Sequence, residues 1–365
     1  MSSAIARLND FGQSPWYDNL ARPLLTGGGL ATLVEDDGIR GVTSNPTILE
    51  KAIGAGAGYD EALAECGKEG LSIEETYWKV VIDDIQAATE VLRPVYEAND
   101  HGDGFVSLEV APTVAHDTDA TIAAARSLHE RVDRPNLMIK IPATLECIPA
   151  IEETIASGIT VNVTLIFSLD RHAKVIEAYL TGLERLVASG GDPSTVASVA
   201  SFFVSRVDTE TDRRLPEGSP LRGKAAVANA KLAYQLFRER FSGPRWDALA
   251  AKGARLQRPL WASTSTKNPA YSPTLYVDEL IGRDTVNTLA PASIEALQRG
   301  EGNQRPDTVT EDVAGARQVM ADLAAAGVHI DDVTDTLERE GVDSFAASFT
   351  DALGTIEKRR AEVTG

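Results

Sequence analysis

Short apolar runs alternate with longer amphipathic segments along most of the chain, and this alternation indicates its fold. The apolar runs are about four to eight residues long and rich in β-branched and aromatic residues, which is typical of buried strands. Between them, apolar residues recur every three or four positions, which is typical of helices that bury one face. We predict eight strands, at residues 15–18, 39–44, 105–110, 137–141, 160–167, 198–204, 260–264 and 285–289.

Three of the helical segments are especially clear. Residues 117–132 begin with Asp117, a residue type that caps helix N-termini, and residues 168–186 and 224–241 show the same periodicity. Strand and helix alternate eight times, which predicts parallel strands joined by crossover helices. The predicted fold class is therefore α/β, a (β/α)8 barrel of the TIM type with additional C-terminal helices packed on the barrel.

The chain is expected to form a single domain, 1–365. Its barrel core is predicted at about 15–300, and a polar segment leads from there into a helical extension at about 306–365. Residues 208–221 are rich in charges and contain a proline, which indicates an insertion between elements. Because this insertion closely follows Arg206, we hypothesise that it closes over a bound phosphorylated ligand.

Polar residues occupy alternate positions in three of the predicted strands. They are Ser107 and Glu109, Asn162 and Thr164, and Lys140 within a run of leucine and isoleucine. Side chains alternate between the two faces of a strand, so these residues are expected to point into the barrel. A proline follows Lys140 by two residues, and proline does not continue a central ladder. The polar residues are therefore predicted at the strand ends where such barrels keep their chemistry.

The charge and cysteine content narrow the classes of partner. A formal net charge of −19 argues against nucleic acid, because phosphate backbones are bound by basic surfaces. It leaves small phosphorylated ligands open, since two or three local cations are enough to bind one. Cys66 and Cys147 are expected to be reduced thiols in a cytoplasmic protein. No signal-peptide pattern and no membrane-length apolar run is found, so no membrane partner is expected.

Two glycine-rich segments do not match nucleotide-binding motifs. Residues 54–59 (GAGAGY) lack the third glycine of a dinucleotide-binding turn, and residues 26–30 (TGGGL) lack the lysine and hydroxyl residue of a P-loop. We interpret both as flexible loops. The five histidines show no spacing typical of a metal site, so no metal is expected.

With these residues in view, the chain resembles the transaldolase family. Four segments carry the resemblance and a fifth is similar to a longer, bacterial version: GVTSNPTILEKAI (41–53), SLEVAP (107–112), NLMIKIPAT with ITVNVTLIFS (136–168), SFFVSRVD (201–208) and WASTSTKNPAYS (261–272). The resemblance implies a (β/α)8 barrel and a Schiff-base mechanism with no cofactor and no metal. It also implies sugar-phosphate substrates. A dihydroxyacetone unit would pass from sedoheptulose 7-phosphate to glyceraldehyde 3-phosphate in the non-oxidative pentose phosphate pathway, giving erythrose 4-phosphate and fructose 6-phosphate.

The resemblance implies catalytic roles for four residues. Lys140 matches the nucleophile whose neutral amine attacks the substrate carbonyl, and burial is expected to outweigh nearby carboxylates in favouring that form. Asp18 matches the base that takes the proton of the C4 hydroxyl. Glu109 matches a residue that works through a water held partly by Thr164. On the residues alone, Lys140 could instead reach solvent, Asp18 could cap a helix, and Glu109 could simply pair with Lys140.

Two asparagines match residues that hydrogen-bond the hydroxyls of the three-carbon unit. They are Asn45 and Asn162, and an amide suits this work because it both donates and accepts. Asn45 precedes a proline, so its local alternative is turn chemistry.

Four residues are assigned to phosphate binding. Ser201 and Arg206 match phosphate ligands of the family, and Arg206 is expected in the loop just beyond its strand. The segment STSTKN is about two residues longer than in many family members, so Ser263 and Lys267 are our assignments for the remaining ligands. The alternative for Lys267 is a solvated loop lysine.

Two other functions stay open beside transfer. A Schiff-base aldolase of the same superfamily would cleave fructose 6-phosphate and release free dihydroxyacetone, but its known members are shorter and differ at the positions of Asp18, Glu109 and Thr164. A non-catalytic sugar-phosphate-binding barrel would lack the nucleophile or the proton-transfer residues. The chain is expected to be a monomer or a homodimer.

Overall fold

The barrel predicted from the sequence is present in the computed structural model, which describes residues 3–56 and 58–364. Eight parallel strands follow one another in sequence order and close when the eighth pairs with the first. The strands are β1 (Gln13–Tyr17), β2 (Gly41–Thr43), β3 (Phe105–Glu109), β4 (Leu137–Pro142), β5 (Val161–Ile166), β6 (Ser198–Phe203), β7 (Gln257–Ala262) and β8 (Thr285–Leu289).

Helices surround the barrel and cover the apolar face of its strands. They are α1 (Ala6–Asp10), α2 (Arg22–Thr26), α3 (Gly29–Asp37), α4 (Pro46–Gly54), α5 (Asp60–Lys68), α6 (Ile73–Ala98), α7 (Thr118–Val132), α8 (Cys147–Ala156), α9 (Leu169–Ala188), α10 (Ser205–Arg214), α11 (Ala225–Arg240), α12 (Pro244–Ala250), α13 (Leu275–Glu279), α14 (Pro291–Gln298), α15 (Val313–Ala325) and α16 (Ile330–Thr364). Within the described ranges, none of them is long and apolar enough to cross a membrane.

Local capping explains why the clearest helices begin where the sequence predicts. Asp117 accepts a hydrogen bond from the backbone N–H of Ala120 at 2.9 Å, and Ser168 accepts one from Arg171 at 3.0 Å. Each side chain thereby satisfies an N–H that has no partner inside its helix. The three predicted helices, which are α7, α9 and α11, are confirmed to within about two residues at each end.

Prolines are better tolerated in the strands than we predicted. Pro142 is the last residue of β4 and pairs with Thr164, and Pro15 lies inside β1 opposite Asn287. Pro259 lies inside β7, which begins three residues before its predicted start. A proline removes one N–H toward one neighbouring strand and leaves its carbonyl, so the pairing continues past it.

The prediction of an insertion at 208–221 is wrong for its first half. Residues up to Arg214 continue α10, and Glu210 accepts hydrogen bonds from Arg213 and Arg214 at 2.6 and 2.8 Å within that helix. A charge-rich sequence is typical of a loop, but here the charged side chains pair three and four residues apart, which is the spacing of neighbours on a helix. The chain then turns at Pro216 and leads into α11.

Strand β5 is irregular at Leu165, which the alternating pattern did not indicate. Leu165 has a φ of +57°, and the register with β6 shifts between Val163 and Ile166. This bulge removes Leu165 from the face that it would share with Val163. The leucine instead lies against Gly341 of α16, where a Cβ would be 3.0 Å from its Cδ2.

The C-terminal helices pack back on the barrel, as predicted. Helix α15 lies along α11, and α16 crosses α4, α5, α6 and α10. A hydrogen bond of 2.7 Å joins Thr47 of α4 to Ser348 of α16. This course carries α16 over the end of the barrel at which β4 and β5 finish.

Candidate active site

Polar side chains of neighbouring strands lie side by side inside the barrel. The register pairs Glu109 of β3 with Lys140 of β4, and Lys140 with Asn162 of β5. The amide of Asn162 donates to Ser107 Oγ at 2.9 Å, and its oxygen accepts from Ser201 Oγ at 2.7 Å. These contacts run across four strands, which confirms that the polar residues point inward.

A pocket at the C-terminal end of the barrel gathers most of the predicted site. Eight of the ten predicted residues form part of its wall: Asp18, Asn45, Lys140, Thr164, Ser201, Arg206, Ser263 and Lys267. The other two, Glu109 and Asn162, are buried beside Lys140 rather than in the wall. The structure therefore brings together all ten, in two layers.

Lys140 is 5% exposed, so it does not snorkel to solvent. Its Nζ lies 3.2 Å from Glu109 Oε2 and donates to the backbone carbonyl of Ser44 at 3.1 Å. The ring of Phe345, from α16, has its centroid 5.8 Å from the same nitrogen. The amine is thus held toward the pocket by one carboxylate, one carbonyl and one aromatic wall.

The carboxyl group of Glu109 is buried next to that amine. Burial raises the pKa of Glu109, and the adjacent Lys140 ammonium partly offsets the rise. Thr164 is also buried, and its Oγ1 makes no hydrogen bond to any described residue. A hydroxyl in this position is able to donate to or accept from a small molecule in the pocket.

Asp18 follows the last residue of β1 and does not cap a helix, since α2 begins four residues later with Ala21 as its N-cap. Its Oδ1 accepts a hydrogen bond of 2.7 Å from the hydroxyl of Thr43 on the neighbouring strand. Burial raises the pKa of Asp18, and Lys140 and the Thr43 bond oppose the rise. A carboxyl group with a raised pKa in a pocket wall is a candidate proton acceptor.

Asn45 has a local structural role at the start of a helix, and it also lines the pocket. Its side-chain oxygen accepts from the backbone N–H of Ile48 at 3.0 Å, which caps α4 with Pro46 at the first helical position. Because the oxygen is used in the cap, the amide nitrogen is the group of Asn45 that is left to face a ligand.

Two cations lie together at the mouth of the pocket. Arg206 belongs to the first turn of α10, so its expected place in a loop is wrong; the helix starts directly after β6. Burial lowers the pKa of Arg206. Burial also lowers the pKa of Lys267, and the nearby Arg206 charge lowers it further. Adjacent cations in a concave wall are the arrangement that binds a phosphate.

Ser263 connects the loop after β7 to α10. It has a φ of +57°, and its hydroxyl shares a hydrogen bond of 2.8 Å with the hydroxyl of Ser205. The hydroxyl of Ser201, by contrast, donates to Asn162, so it is already used inside the barrel. A phosphate-binding role for Ser201 stays a prediction.

Sequence reasoning missed Thr43 and Phe345. Thr43 lies two positions before Asn45 at the end of β2, so the alternation of strand side chains could have placed it in the site. Phe345 lies on a helix about 200 residues away from Lys140 in the chain, and no local pattern relates the two.

The described residues of the two glycine-rich segments that we excluded from the chemistry do not line the pocket; Ala57 lies outside the described residues. TGGGL (26–30) is the junction between α2 and α3 rather than a loop. In GAGAGY (54–59), Gly56 has a φ of +77°, and a Cβ there would be 2.4 Å from the guanidinium of Arg359. Within residues 3–56 and 58–364, histidine, cysteine, aspartate and glutamate side chains form no cluster of three that could hold a metal ion.

The chain is similar in sequence to a known protein family and to several named proteins. Residues 15–356 match the family model described as transaldolase/fructose-6-phosphate aldolase. The chain is 50% identical to a protein named transaldolase from Acidothermus cellulolyticus, over 98% of this chain and 97% of that protein. Proteins of the same name from Frankia alni, over 98% of each chain, and Thermobifida fusca, over 100% of each chain, are both 49% identical.

Proposed function

The chain belongs to the transaldolase/fructose-6-phosphate aldolase family, and from this premise we propose how its own residues carry out the reaction. It is a transferase of the transaldolase type, which passes a dihydroxyacetone unit from sedoheptulose 7-phosphate to glyceraldehyde 3-phosphate. The observation that carries the residue assignment is the amine of Lys140, buried at the floor of the pocket with Glu109 3.2 Å away.

Lys140 is the nucleophile. Its lone pair attacks C2 of the ketose, the carbinolamine loses water, and an iminium forms. The bond between C3 and C4 then breaks, and its electron pair moves into the iminium to give an enamine. The aldose phosphate leaves as the C4 hydroxyl gives up its proton. Reversal of these steps on a second aldose phosphate, followed by hydrolysis, releases the product ketose.

Asp18 takes the proton of the C4 hydroxyl and returns it during addition. Its pKa, which burial raises, makes it a stronger base than an exposed aspartate. Lys140, Lys267 and Arg206 all oppose that rise, so the carboxylate form that accepts a proton stays accessible.

Glu109 and Thr164 handle the protons of dehydration and hydrolysis. Glu109 is within ion-pair distance of the amine that becomes the imine. We propose that the hydroxyl of Thr164 holds the water that Glu109 activates; its lack of a partner among the described residues supports this role.

The remaining residues orient the substrate. Asn45 presents its amide to the hydroxyls of the three-carbon unit. Asn162 binds the same hydroxyls from inside the barrel, and its contacts with Ser107 and Ser201 hold its amide in place. We propose the phosphate at the opposite end of the pocket. Its ligands there are Arg206, Lys267 and Ser263, and Ser201, whose hydroxyl donates to Asn162, lines the same pocket.

Borohydride trapping tests the nucleophile. The enzyme is mixed with fructose 6-phosphate, reduced with borohydride and digested, and the peptides are mapped by mass. A reduced three-carbon adduct on Lys140, absent from Lys140→Ala, supports the assignment. The Lys231→Ala variant is the matched control, because Lys231 is also buried in an ion pair, with Glu279, but outside the pocket. An adduct on another residue, or no adduct at all, would overturn the assignment of Lys140 as the nucleophile.

Erythrose 4-phosphate separates transfer from the two alternatives. The acceptor is added before the borohydride. A transaldolase then passes the three-carbon unit from the unreduced enamine to erythrose 4-phosphate, so sedoheptulose 7-phosphate forms and little adduct is found on Lys140 after reduction. An aldolase of the fructose-6-phosphate type would release free dihydroxyacetone at the same rate with or without the acceptor. A non-catalytic barrel would bind both sugar phosphates and form no adduct.

A single chain supplies every residue of the proposed site, so the site is complete in a monomer and in a homodimer alike. We propose the cytoplasm as the location, since both cysteines are free and buried, as is usual in a reducing compartment.

A further inference from the structure

Two aspartates on α10 accept hydrogen bonds from two tyrosines that follow Lys267 in the chain. The hydroxyl of Tyr276, on α13, donates to Asp208 Oδ2 at 2.8 Å. The hydroxyl of Tyr271, in the loop between β7 and α13, donates to Asp212 Oδ2 at 2.5 Å. The aspartates are four residues apart, so both lie on one face of α10, the helix whose first turn contains Arg206.

These carboxylates are buried and have no cationic partner among the described residues. Asp208 is 1% exposed and Asp212 is 6% exposed, and neither forms an ion pair there. Each second oxygen accepts a backbone N–H instead, from Ala226 at 2.8 Å and from Gly223 at 2.9 Å. A buried carboxylate without a counter-ion is costly, so its retention calls for a purpose beyond packing.

The loop that carries Lys267 is otherwise weakly attached. Among the described residues, the other hydrogen bonds of residues 265–273 stay inside the loop or reach only the start of α13. Lys267 itself is exposed on one side and faces the pocket on the other. The bond from Tyr271 to Asp212 is thus the one that fastens this stretch to α10.

The turn before α11 is shaped to admit the tyrosine. Gly223 has a φ of +69°, and a Cβ there would lie 2.7 Å from Tyr271 Cζ. Only glycine allows both that backbone conformation and that close approach. We first interpreted the residues after α10 as an insertion that covers the ligand. They pack against Tyr271 instead and contribute nothing to the pocket wall.

We propose that Asp208 and Asp212 are positioning residues that hold Lys267 beside Arg206 through Tyr276 and Tyr271. The inference rests on the phosphate-binding role proposed for Arg206 and Lys267. It adds the two tyrosine–aspartate hydrogen bonds that keep these cations next to each other.

The physical reason is preorganisation. Arg206 and Lys267 repel each other, and desolvation, which is only partial for Lys267, disfavours the charge on both. A free loop would let Lys267 move out into solvent, and each phosphate would then have to draw it back. Two tyrosine–carboxylate bonds hold the loop before the substrate arrives, so less ordering is needed on binding. The binding of the phosphorylated end is thereby strengthened, while the chemistry at Lys140 is left alone.

The test compares phosphorylated and unphosphorylated donors in Tyr271→Phe. The substitution removes one hydroxyl and keeps the ring against Gly223. We expect KM for fructose 6-phosphate to rise roughly threefold to tenfold, the ratio that corresponds to one hydrogen bond of ordinary strength, with kcat within about twofold of the parent. The rate of borohydride trapping with unphosphorylated dihydroxyacetone should not change, because that donor has no phosphate.

Tyr179→Phe is the matched control. Its hydroxyl donates to the backbone carbonyl of Arg255 at 2.7 Å, just before the start of β7, at the end of the barrel opposite to the pocket. It should lower thermal stability as Tyr271→Phe does, without the rise in KM. An equal rise in KM in Tyr179→Phe would mean a general structural effect and would overturn the proposal.

Two further variants separate this inference from the proposed function. If Arg206→Ala and Lys267→Ala leave KM for fructose 6-phosphate unchanged, the phosphate site itself is wrong. If they raise KM and Tyr271→Phe does not, only the positioning role is wrong. In the Lys267→Ala background, Tyr271→Phe should add little, because the tyrosine acts through that lysine. A further rise as large as in the parent would overturn the coupling.

Discussion

The Nζ of Lys140 lies 3.2 Å from the Oε2 of Glu109, and each side chain is 6% exposed. The parallel register of β3 and β4 places the two residues directly opposite each other. A buried pair of this kind is costly to break, because the remaining charge is left without a partner. The same geometry puts a carboxyl group beside the nitrogen at which water must leave and return.

Glu109→Gln should slow both formation and hydrolysis of the imine. The amide keeps the shape of the side chain but neither accepts nor delivers a proton, so we expect kcat to fall by about 10²- to 10⁴-fold. Rapid quench with borohydride after mixing with fructose 6-phosphate measures how fast the adduct forms. The control is Glu338→Gln, which removes the ion pair with Arg171 at 3.0 Å outside the pocket. A kcat within a few fold of the parent in Glu109→Gln would contradict this role.

Thr43→Val should move the acid limb of the pH–rate profile toward higher pH. Burial already raises the pKa of Asp18, and the Thr43 bond lowers it. A base must be ionised to work, so activity is lost as pH falls through this pKa. Without the hydroxyl, the pKa rises further, and we expect the limb in kcat/KM to shift upward by about one unit. Thr43→Ser keeps the hydroxyl and should keep the limb in place; a shift there as well would count against the explanation.

Asp208→Asn should flatten the pH dependence of stability near pH 6. Burial raises the pKa of Asp208 to about 6 in the folded protein, compared with about 3.9 in an unfolded chain. The folded state therefore binds the proton more tightly, and this group reduces the free energy of unfolding as pH rises from about 4 through 6. The full effect is about 3 kcal/mol.

Urea titrations at several pH values, with the parent and Asp208→Asn side by side, measure that contribution. The difference in unfolding free energy should move in favour of the asparagine variant as pH increases. Asp37→Asn is a suitable control, because Asp37 is also buried but lies in α3, far from α10 in the fold. A constant difference between the parent and Asp208→Asn from pH 4 to pH 7 would show that Asp208 does not titrate in this range.

Phe345→Ala should increase hydrolysis of the covalent intermediate. The ring of Phe345 covers Lys140 from α16 and is 4% exposed. Its removal opens a path for solvent to the enamine and the iminium, so more of the three-carbon unit is released as free dihydroxyacetone and less is transferred. The ratio of free dihydroxyacetone to sedoheptulose 7-phosphate, measured with fructose 6-phosphate and limiting erythrose 4-phosphate, should rise several-fold. Phe345→Leu keeps an apolar cover and should stay near the parent; an unchanged ratio in the alanine variant would contradict the shielding role.

The strands and the inward direction of the catalytic residues were predictable because both depend on local spacing. Alternation with a period of two assigned Glu109, Lys140 and Asn162 to one face, and parallel neighbours of similar length put them side by side. The helix starts at Asp117 and Ser168 were predictable for the same reason, since a cap acts within three residues.

Several local patterns misled because tertiary contacts outweighed them. The charged stretch after β6 reads as a loop, yet it continues α10, which is held by ion pairs at helical spacing and by the buried bonds of Asp208 and Asp212. Leu165 fits the alternation of β5, yet the approach of α16 at Gly341 coincides with a bulge there. Propensity is a weak guide wherever distant segments compete for the same residues.

The sequence by itself determined a closed run of eight strands and the row of polar groups that ends in Lys140, because hydrophobic burial acts on patterns that repeat every two or every three to four residues. Only the tertiary structure decided which far parts of the chain complete the pocket. Phe345 over Lys140, Lys267 beside Arg206 and Tyr271 on Asp212 are contacts between segments 55 or more residues apart. Such contacts depend on how the closed barrel directs its loops and its last helix, and no short-range pattern records that.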